Sequence, residues 1–312
     1  MACSVKILAD SVAPNGSRLT TFEVEHWRAI HAEVLRHRSF SFSAASSRAI
    51  PGGRMADYVR ENPAGPLAWT TTRKGMQGGE PLPPGMAQQA QWEWDAAREK
   101  AIAAAESLES MGVHKSISNR LLEPFAHIRC VITGNADAVA NFVAQRQHWD
   151  AEPSMQQLAK YMGLAYEASK PVQLEAGEWH LPYIFEADWA ELPDGAHIND
   201  AGRYMARISA ARCARVSYKT HGGLRTTPEE DFALYDRLVG SDPKHASPTD
   251  HQAKALNEIK GVFCYELGGN LGPGWHQHRK MIAGERATAA SFDLAARLAL
   301  YRDVDYLLEE PR

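Results

Sequence analysis

Residues 36–48 read "RHRSFSFSAASSR". Thirteen positions hold four arginine or histidine residues, five serines, two phenylalanines and no acid. Guanidinium groups bind phosphate through paired N–H bonds, and serine hydroxyls add short ones, so these are the parts of an anion site. The same composition also suits a solvated basic turn, so its surroundings must decide. Upstream, "TFEVEHWRAIHAEVLRHR" from Thr21 sets Val24, Trp27, Ile30 and Val34 at helical spacing. That spacing predicts an amphipathic helix with Arg36–Arg38 in its last turn, where positive charge suits the dipole. The serine segment has poor helix propensity and is predicted as loop, and "IPGGRM" as a turn.

Working outward, residues 60–90 are rich in proline and glycine and read as an ordered insertion or lid. Gln91–Met111 is predicted helical, stopped by Gly112, and "KSISNRLLE" a further helix ended by Pro124. "RCVITG" reads as a strand, and "NADAVANFVAQR" as a helix with Val139, Phe142 and Val143 inward. "EPSMQQLAKYMGLAYEA" opens with proline near its first turn and is predicted helical. "ARVSY" at 214–218 is strand-like, "TPEEDFALYDRLVG" a capped helix, and "GNLGPGWHQHRKMI" a Gly-rich loop with a second basic cluster, His276–Lys280. No internal repeat or low-complexity tract is present.

The 312 residues are 44% hydrophobic, enough for a sizeable core, and the net charge is −4. A nearly balanced chain is not a general polyanion binder, so no nucleic-acid partner is expected, while local basic clusters suit a small phosphorylated ligand. No apolar run is long enough to span a bilayer, and "MACSVKILADSV" lacks a signal-peptide pattern, so a cytoplasmic protein without a membrane partner is expected. None of the four cysteines, Cys3, Cys130, Cys213 and Cys264, sits in a CxxC pair. Neither a metal site nor a disulfide framework is predicted, and Cys130 and Cys264, among apolar neighbours, read as buried inert thiols.

Three basic clusters are widely separated: Arg36–Arg48, Arg120 with Arg146, and His276–Lys280. One phosphate site and one polar base-binding site would use them all. "RHRSFSFSAAS", in which Arg-His-Arg is followed after seven residues by Ser46, resembles the signature of flavin-dependent thymidylate synthases, the ThyX type. "NADAVANFVAQR", "GVHKSISNRLLEP", "ARVSY" and "SPTDH" (247–251) resemble four further blocks of that family. In the usual family order the last two precede the Arg-His-Arg motif. Here they follow it, so the chain resembles a circularly permuted branch common in phages.

The resemblance implies an α+β fold, a mixed or antiparallel sheet flanked by helices. It implies a single catalytic domain over 1–312, with 54–95 as a Pro/Gly-rich insertion and 207–280 as the permuted block. FAD would be held by Arg36, His37, Arg38, Asn135, Asn141, Ser217 and His251. Ser46, Ser47 and Arg48 would hold the dUMP phosphate. Arg120 and Arg146 would hold the nucleotide and act in catalysis, with Arg146 at the pyrimidine ring. Methylenetetrahydrofolate would give the carbon, NADPH would reduce the flavin, no metal is implied, and the protein would self-associate as a homotetramer. The inventory agrees with hydride chemistry, because no cysteine lies in a basic, exposed context that would make it a nucleophile.

The chain departs from the family at definite places. Ser43 and Ala44 stand where the family has Asn and Glu, Ala49 where it has Tyr, Asp137 where it has Arg, and Asp150 where it has His, with His148 nearby. "SPFEH" has become "SPTDH". These changes keep two other readings open: a related enzyme that methylates or hydroxymethylates dUMP or dCMP, and an inactive nucleotide- or RNA-binding homologue.

Overall fold

The computed structural model describes residues 3–192, 198–217, 226–257 and 267–285. Two antiparallel strands open the chain, β1 (Ser4–Val12) and β2 (Arg18–Trp27). The second overturns the predicted helix. Thr20, Thr21, Phe22 and Val24 are all fully buried, so both sides of the segment are covered. β-Branched and aromatic side chains suit such a strand, and pairing along both edges satisfies its backbone. Helix is confined to α1 (His31–Val34), entered through a 3-10 turn over Arg28–Ile30. Arg36–Arg38 form the turn that follows.

The serine segment is also not a loop. Ser41–Ala44 is a short edge strand, β3, and Ser47–Ala49 a 3-10 turn. Ser41 and Ser43 are buried, so the two-residue alternation of a strand hides the hydroxyls on one side. The helices α2 (Gly52–Glu61), α3 (Pro84–Ser110) and α4 (Lys115–Ser118) come next. α3 starts seven residues before the predicted Gln91, with proline at its first position, and ends where Gly112 takes φ +83°. A 3-10 segment, Asn119–Phe125, carries Pro124.

β4 (His127–Asn135) pairs antiparallel with both β2 and β3. α5 (Ala136–Arg146) begins as predicted, with Asn135 Oδ1 accepting the Ala138 N–H at 2.9 Å. α6 (Pro153–Ala168) is capped by Glu152. β5 (Val172–Gln173) adds parallel to β1, so the five-stranded sheet is mixed, in the order β3-β4-β2-β1-β5. A smaller antiparallel sheet, β6-β7-β8, uses β6 (Trp179–His180), β7 (Ala253–Ala255) and β8 (Trp275–Gln277). The remaining helices are α7 (Glu186–Trp189), α8 (Ile198–Ala214) and α9 (Pro228–Val239), the last with a Thr227–Glu230 capping box. The fold is α+β, as expected.

The two faces of the large sheet are built differently. On one, Phe22, Val24, Ile128 and Ile132 meet Val139 and Phe142 of α5 and Leu158 and Met162 of α6. On the other, Val131 packs with Tyr183, Cys213 and Val216. The "ARVSY" segment is therefore not a strand: Arg215–Ser217 is a 3-10 turn continuing α8. An ion cluster fixes it there. Arg212, almost completely buried, pairs with Asp188 and Asp231 at 2.9 Å each, and Arg215 reaches Asp231 at 3.1 Å. Removing one member of such a cluster leaves a buried charge uncompensated and costs about 3–5 kcal/mol. Tyr218 and Cys264 lie outside the described residues. Among the described residues, no helix is long and apolar enough to cross a membrane.

Candidate active site

On the second face the hydroxyls of neighbouring strands form a buried ladder. His251 is fully buried, with Nε2 2.9 Å from Ser43 Oγ on β3 and Nδ1 2.8 Å from Thr133 Oγ1 on β4. Thr133 continues to Thr21 Oγ1 on β2 at 2.7 Å, and Thr21 to His180 Nε2 at 2.8 Å. His180 Nδ1 then lies 3.0 Å from Ser11 Oγ on β1. Burial lowers both imidazoles to about 3, so they are neutral at physiological pH. A neutral ring donates from one nitrogen and accepts at the other, so the ladder carries each hydrogen bond in one consistent direction.

The ladder ends between two cavities. The larger, about 710 Å³, is walled by Ser43, Ala44, Ser46 and Arg48 of the β3 segment and by Ala214 and Val216 after α8. His114 and Ser116, Arg237 of α9, His245, Ser247 and Pro248 also line it. Four blocks that are far apart in sequence thus share one wall. The smaller cavity, about 410 Å³, is lined by Arg38, Phe40, Ser41, Asp250, Asn270, Gln277 and Arg279, among others. The 3-10 turn Ser247–Asp250 contributes to both, with Ser247 and Pro248 on one side and Asp250 on the other.

Their charge differs. Among the described residues, neither Arg48 nor Arg237 has an ion-pair partner, so the larger cavity presents uncompensated positive charge. In the smaller one, Arg279 lies 3.1 Å from Asp250 and 2.7 Å from Glu285, and Lys280 2.9 Å from Glu285. Burial raises Asp250 to about 6, against the opposing pull of Arg279. Arg38, without an acidic partner among the described residues, is that cavity's free cation. The cavity's amides, hydroxyl, guanidinium and aromatic rings could hold a flavin nucleotide: cation for diphosphate, amides for a polar ring edge, apolar surface for the ring face.

The residues singled out in the sequence separate into groups. Arg48 and Ser46 line the larger cavity and Arg38 the smaller. His251 supports the wall between them through Ser43, five residues beyond Arg38. Ser47 is buried and turned away, its Oγ donating to Glu123 at 2.6 Å. Arg146 Nε donates to His37 Nε2 at 2.7 Å, so the end of α5 clamps the Arg36–Arg38 turn. Burial, and then the Arg146 charge, lower His37 to about 4, consistent with an accepting nitrogen. Arg36 and Arg120 are exposed and line neither cavity. Asn135 caps α5 and donates to the Leu271 carbonyl at 3.3 Å, while Asn141 is exposed and accepts from Gln145 at 3.0 Å. Ser217 closes the turn after α8.

Sequence reading missed His114, Arg237 and His245 in the larger cavity. It also missed Asn119, whose Nδ2 donates to the carbonyls of Ser47 and Ile50 at 2.8 and 3.0 Å and braces the Arg48 loop from behind. His114 and Asn119 lie inside the "GVHKSISNRLLEP" block and His245 two residues before "SPTDH", whereas Arg237 carried no signal.

The family described as "Thymidylate synthase complementing protein" matches residues 19–172, from β2 through β5. Over this stretch the chain resembles the flavin-dependent thymidylate synthase family. Among solved structures, the chain resembles a UMP/dUMP methylase, PolB, from Streptomyces cacaoi bound with 5-Br UMP, at 19% identity and TM-score 0.45, covering 53% of this chain and 88% of that one. The same methylase bound with 5-Br dUMP gives 19% identity and TM-score 0.44, covering 53% and 89%. No curated protein matches the chain.

Proposed function

We propose that the protein is a flavin-dependent thymidylate synthase that methylates dUMP to dTMP within one catalytic domain. In this reading residues 54–95 are an insertion and 207–280 the permuted block. The observation that carries it is the larger cavity, where Ser46 and Arg48 meet the "ARVSY" and "SPTDH" blocks across about two hundred residues of chain. Arg48, with no acidic partner among the described residues, binds the nucleotide phosphate, with Ser46 beside it. Fixed cations there also stabilise negative charge that develops on the pyrimidine carbonyls. Arg38, Asn270 and Gln277 would hold FAD in the adjoining cavity. When bound and reduced by NADPH, the flavin supplies the hydride, and methylenetetrahydrofolate the one-carbon unit. His251 keeps the intervening wall in place through Ser43, and Arg146 holds the basic turn through His37. The two ladder imidazoles, His251 and His180, are held neutral by burial.

A second reading, a hydroxymethylated or methylated pyrimidine nucleotide made from dUMP or dCMP, is favoured by one observation. Ala44, which stands where the family has Glu, lines the cavity itself. Incubation with dUMP or dCMP, methylenetetrahydrofolate, FAD and NADPH, followed by mass spectrometry, tests both. dTMP from dUMP is expected, and a hydroxymethyl product or turnover of dCMP establishes the second. Absence of any product from flavin-loaded protein refutes both and leaves an inactive binding homologue.

A further inference from the structure

The first face of the sheet is apolar at its centre, with polar groups at both ends: Asp10, Arg18 and Thr20 meet at one, and a second cluster lies at the other. There His26 of β2, His31 at the start of α1 and Cys130 of β4 bring their ligand atoms within 4.8 Å of one another. Cys130 Sγ lies 3.9 Å from His26 Nε2 and 3.8 Å from His31 Nδ1. For tetrahedral zinc, bonds of about 2.3 Å to sulfur and about 2.0–2.1 Å to nitrogen set sulfur and nitrogen about 3.6 Å apart. The observed edges are within a few tenths of an ångström of that value.

The ring orientation points the same way. His26 is 1% exposed, and its Nδ1 lies 2.9 Å from the Trp27 carbonyl. A carbonyl only accepts, so Nδ1 carries the proton and Nε2 presents a lone pair to the sulfur. Metal-binding histidines are commonly oriented by such a bond from their other nitrogen. As a hydrogen-bond partner, a thiol at 3.9 Å is poor for a fully buried imidazole nitrogen. Arg28, the nearest cation, is engaged by Glu123 at 2.9 Å and the Ala45 carbonyl at 3.3 Å. His31 is only part-buried and gives an entry path.

The geometry points to a binding site for one divalent, borderline-soft cation of the zinc type, held by His26, His31 and Cys130. Binding two neutral imidazoles and one thiolate releases the Cys130 proton to solvent. The ion would tie β2 and β4 to the first residue of α1, and so fix the approach to the Arg36–Arg38 turn. Nothing in the dUMP reading requires it. Sequence spacing conceals the cluster, because Cys130 is about a hundred residues from both histidines.

The test uses the full chain, stripped with a chelator and titrated with cobalt(II) and then zinc(II). A thiolate-to-cobalt charge-transfer band, saturating at one cobalt per chain and bleached by zinc, is expected. Cys130→Ser should abolish it, whereas Cys3→Ser, at the neighbouring thiol packed against the same core, should retain it. His31→Gln, at the part-buried position, should fold normally yet lose at least about 100-fold in cobalt affinity, since even outer partners of ligands are worth 10–100-fold. Zinc should raise the melting temperature of the wild type but not of His31→Gln. Absence of a charge-transfer band in the wild type, its persistence in Cys130→Ser, or equal zinc stabilisation of His31→Gln would overturn the assignment.

Discussion

The two faces of one sheet have been put to opposite uses. Beneath α5 and α6, Phe22, Val24, Ile132, Phe142 and Leu158 make an ordinary apolar core. On the other face, the same strands carry Ser43, Thr133, Thr21 and Ser11, joined by His251 and His180. Alternation along a strand makes this division possible, because successive residues point to opposite sides. A buried ladder of polar groups is costly unless every member is satisfied, and then it fixes a single arrangement. That arrangement is needed where the site wall stands and is not needed under α5 and α6. Stability should therefore be concentrated on the first face and ligand affinity on the second.

The largest expected effect tests the first half of that division. Leu158→Ala removes a fully buried side chain between α6 and the sheet, and should destabilise the protein by about 3–5 kcal/mol in urea denaturation. Nucleotide affinity of the folded fraction should not change. A matching loss of affinity would mean that the faces are not independent.

On the second face, Arg48→Ala should weaken dUMP binding by about 1.5–3 kcal/mol, the value of a charge-assisted phosphate contact. Its stability should stay within about 0.5 kcal/mol of wild type, because Arg48 is exposed. Calorimetric titration showing unchanged affinity would remove the phosphate from this cavity.

The ladder also predicts an acid sensitivity with a definite sign. His180 and His251 are held neutral by burial, each lowered from 6.5 to about 3. As pH falls below 6.5 the unfolded chain takes up protons that the folded one refuses. Their stabilisation is complete above 6.5 and is lost progressively toward 3. Each contributes a loss of about 1.4 kcal/mol per pH unit, or about 2 kcal/mol by about pH 5. His251→Gln, which keeps hydrogen-bonding capacity without the titration, should flatten that slope in denaturation curves taken from neutral to acid. An unchanged slope would show that this imidazole is not held neutral.

The first face was easier to read in the sequence than the second. Val139 and Phe142 declared their inward side by spacing, Asn135 its cap, and Thr227 with Glu230 a capping box. β2 misled because Val24, Trp27, Ile30 and Val34 fit a helical period by coincidence, while pairing partners supplied by β1 and β4 decide the backbone. β3 misled for a related reason: serines disfavour helix and strand alike until an edge strand is docked on β4. Arg48 and His251 were legible as pieces of motifs. Arg237 was not, and the roles of His114 and Asn119, though inside the "GVHKSISNRLLEP" block, come from packing between remote segments. The His26–His31–Cys130 cluster was hidden for the same reason.

Arg120 gives the smallest expected effect on stability and the sharpest test of where the second face ends. It was read in the sequence as a nucleotide contact, yet it is exposed and lines neither cavity of its own chain. Arg120→Ala should change stability by less than about 0.5 kcal/mol, as a surface substitution does. If the homotetramer that the family resemblance implies builds each site from several subunits, Arg120 acts on a neighbour's cavity, and the substitution should still weaken dUMP binding. Mixing denatured Arg48→Ala and Arg120→Ala chains and refolding them together separates the cases. A site made from two subunits regains one intact pair in a fraction of the hybrids, because one pairing of chains brings together an unmutated Arg48 and an unmutated Arg120. Partial recovery of tight nucleotide binding in the mixture, absent from either variant alone, is the expected result. No recovery, with both variants folded and assembled, would confine the nucleotide site to a single chain and leave Arg120 as a solvated residue.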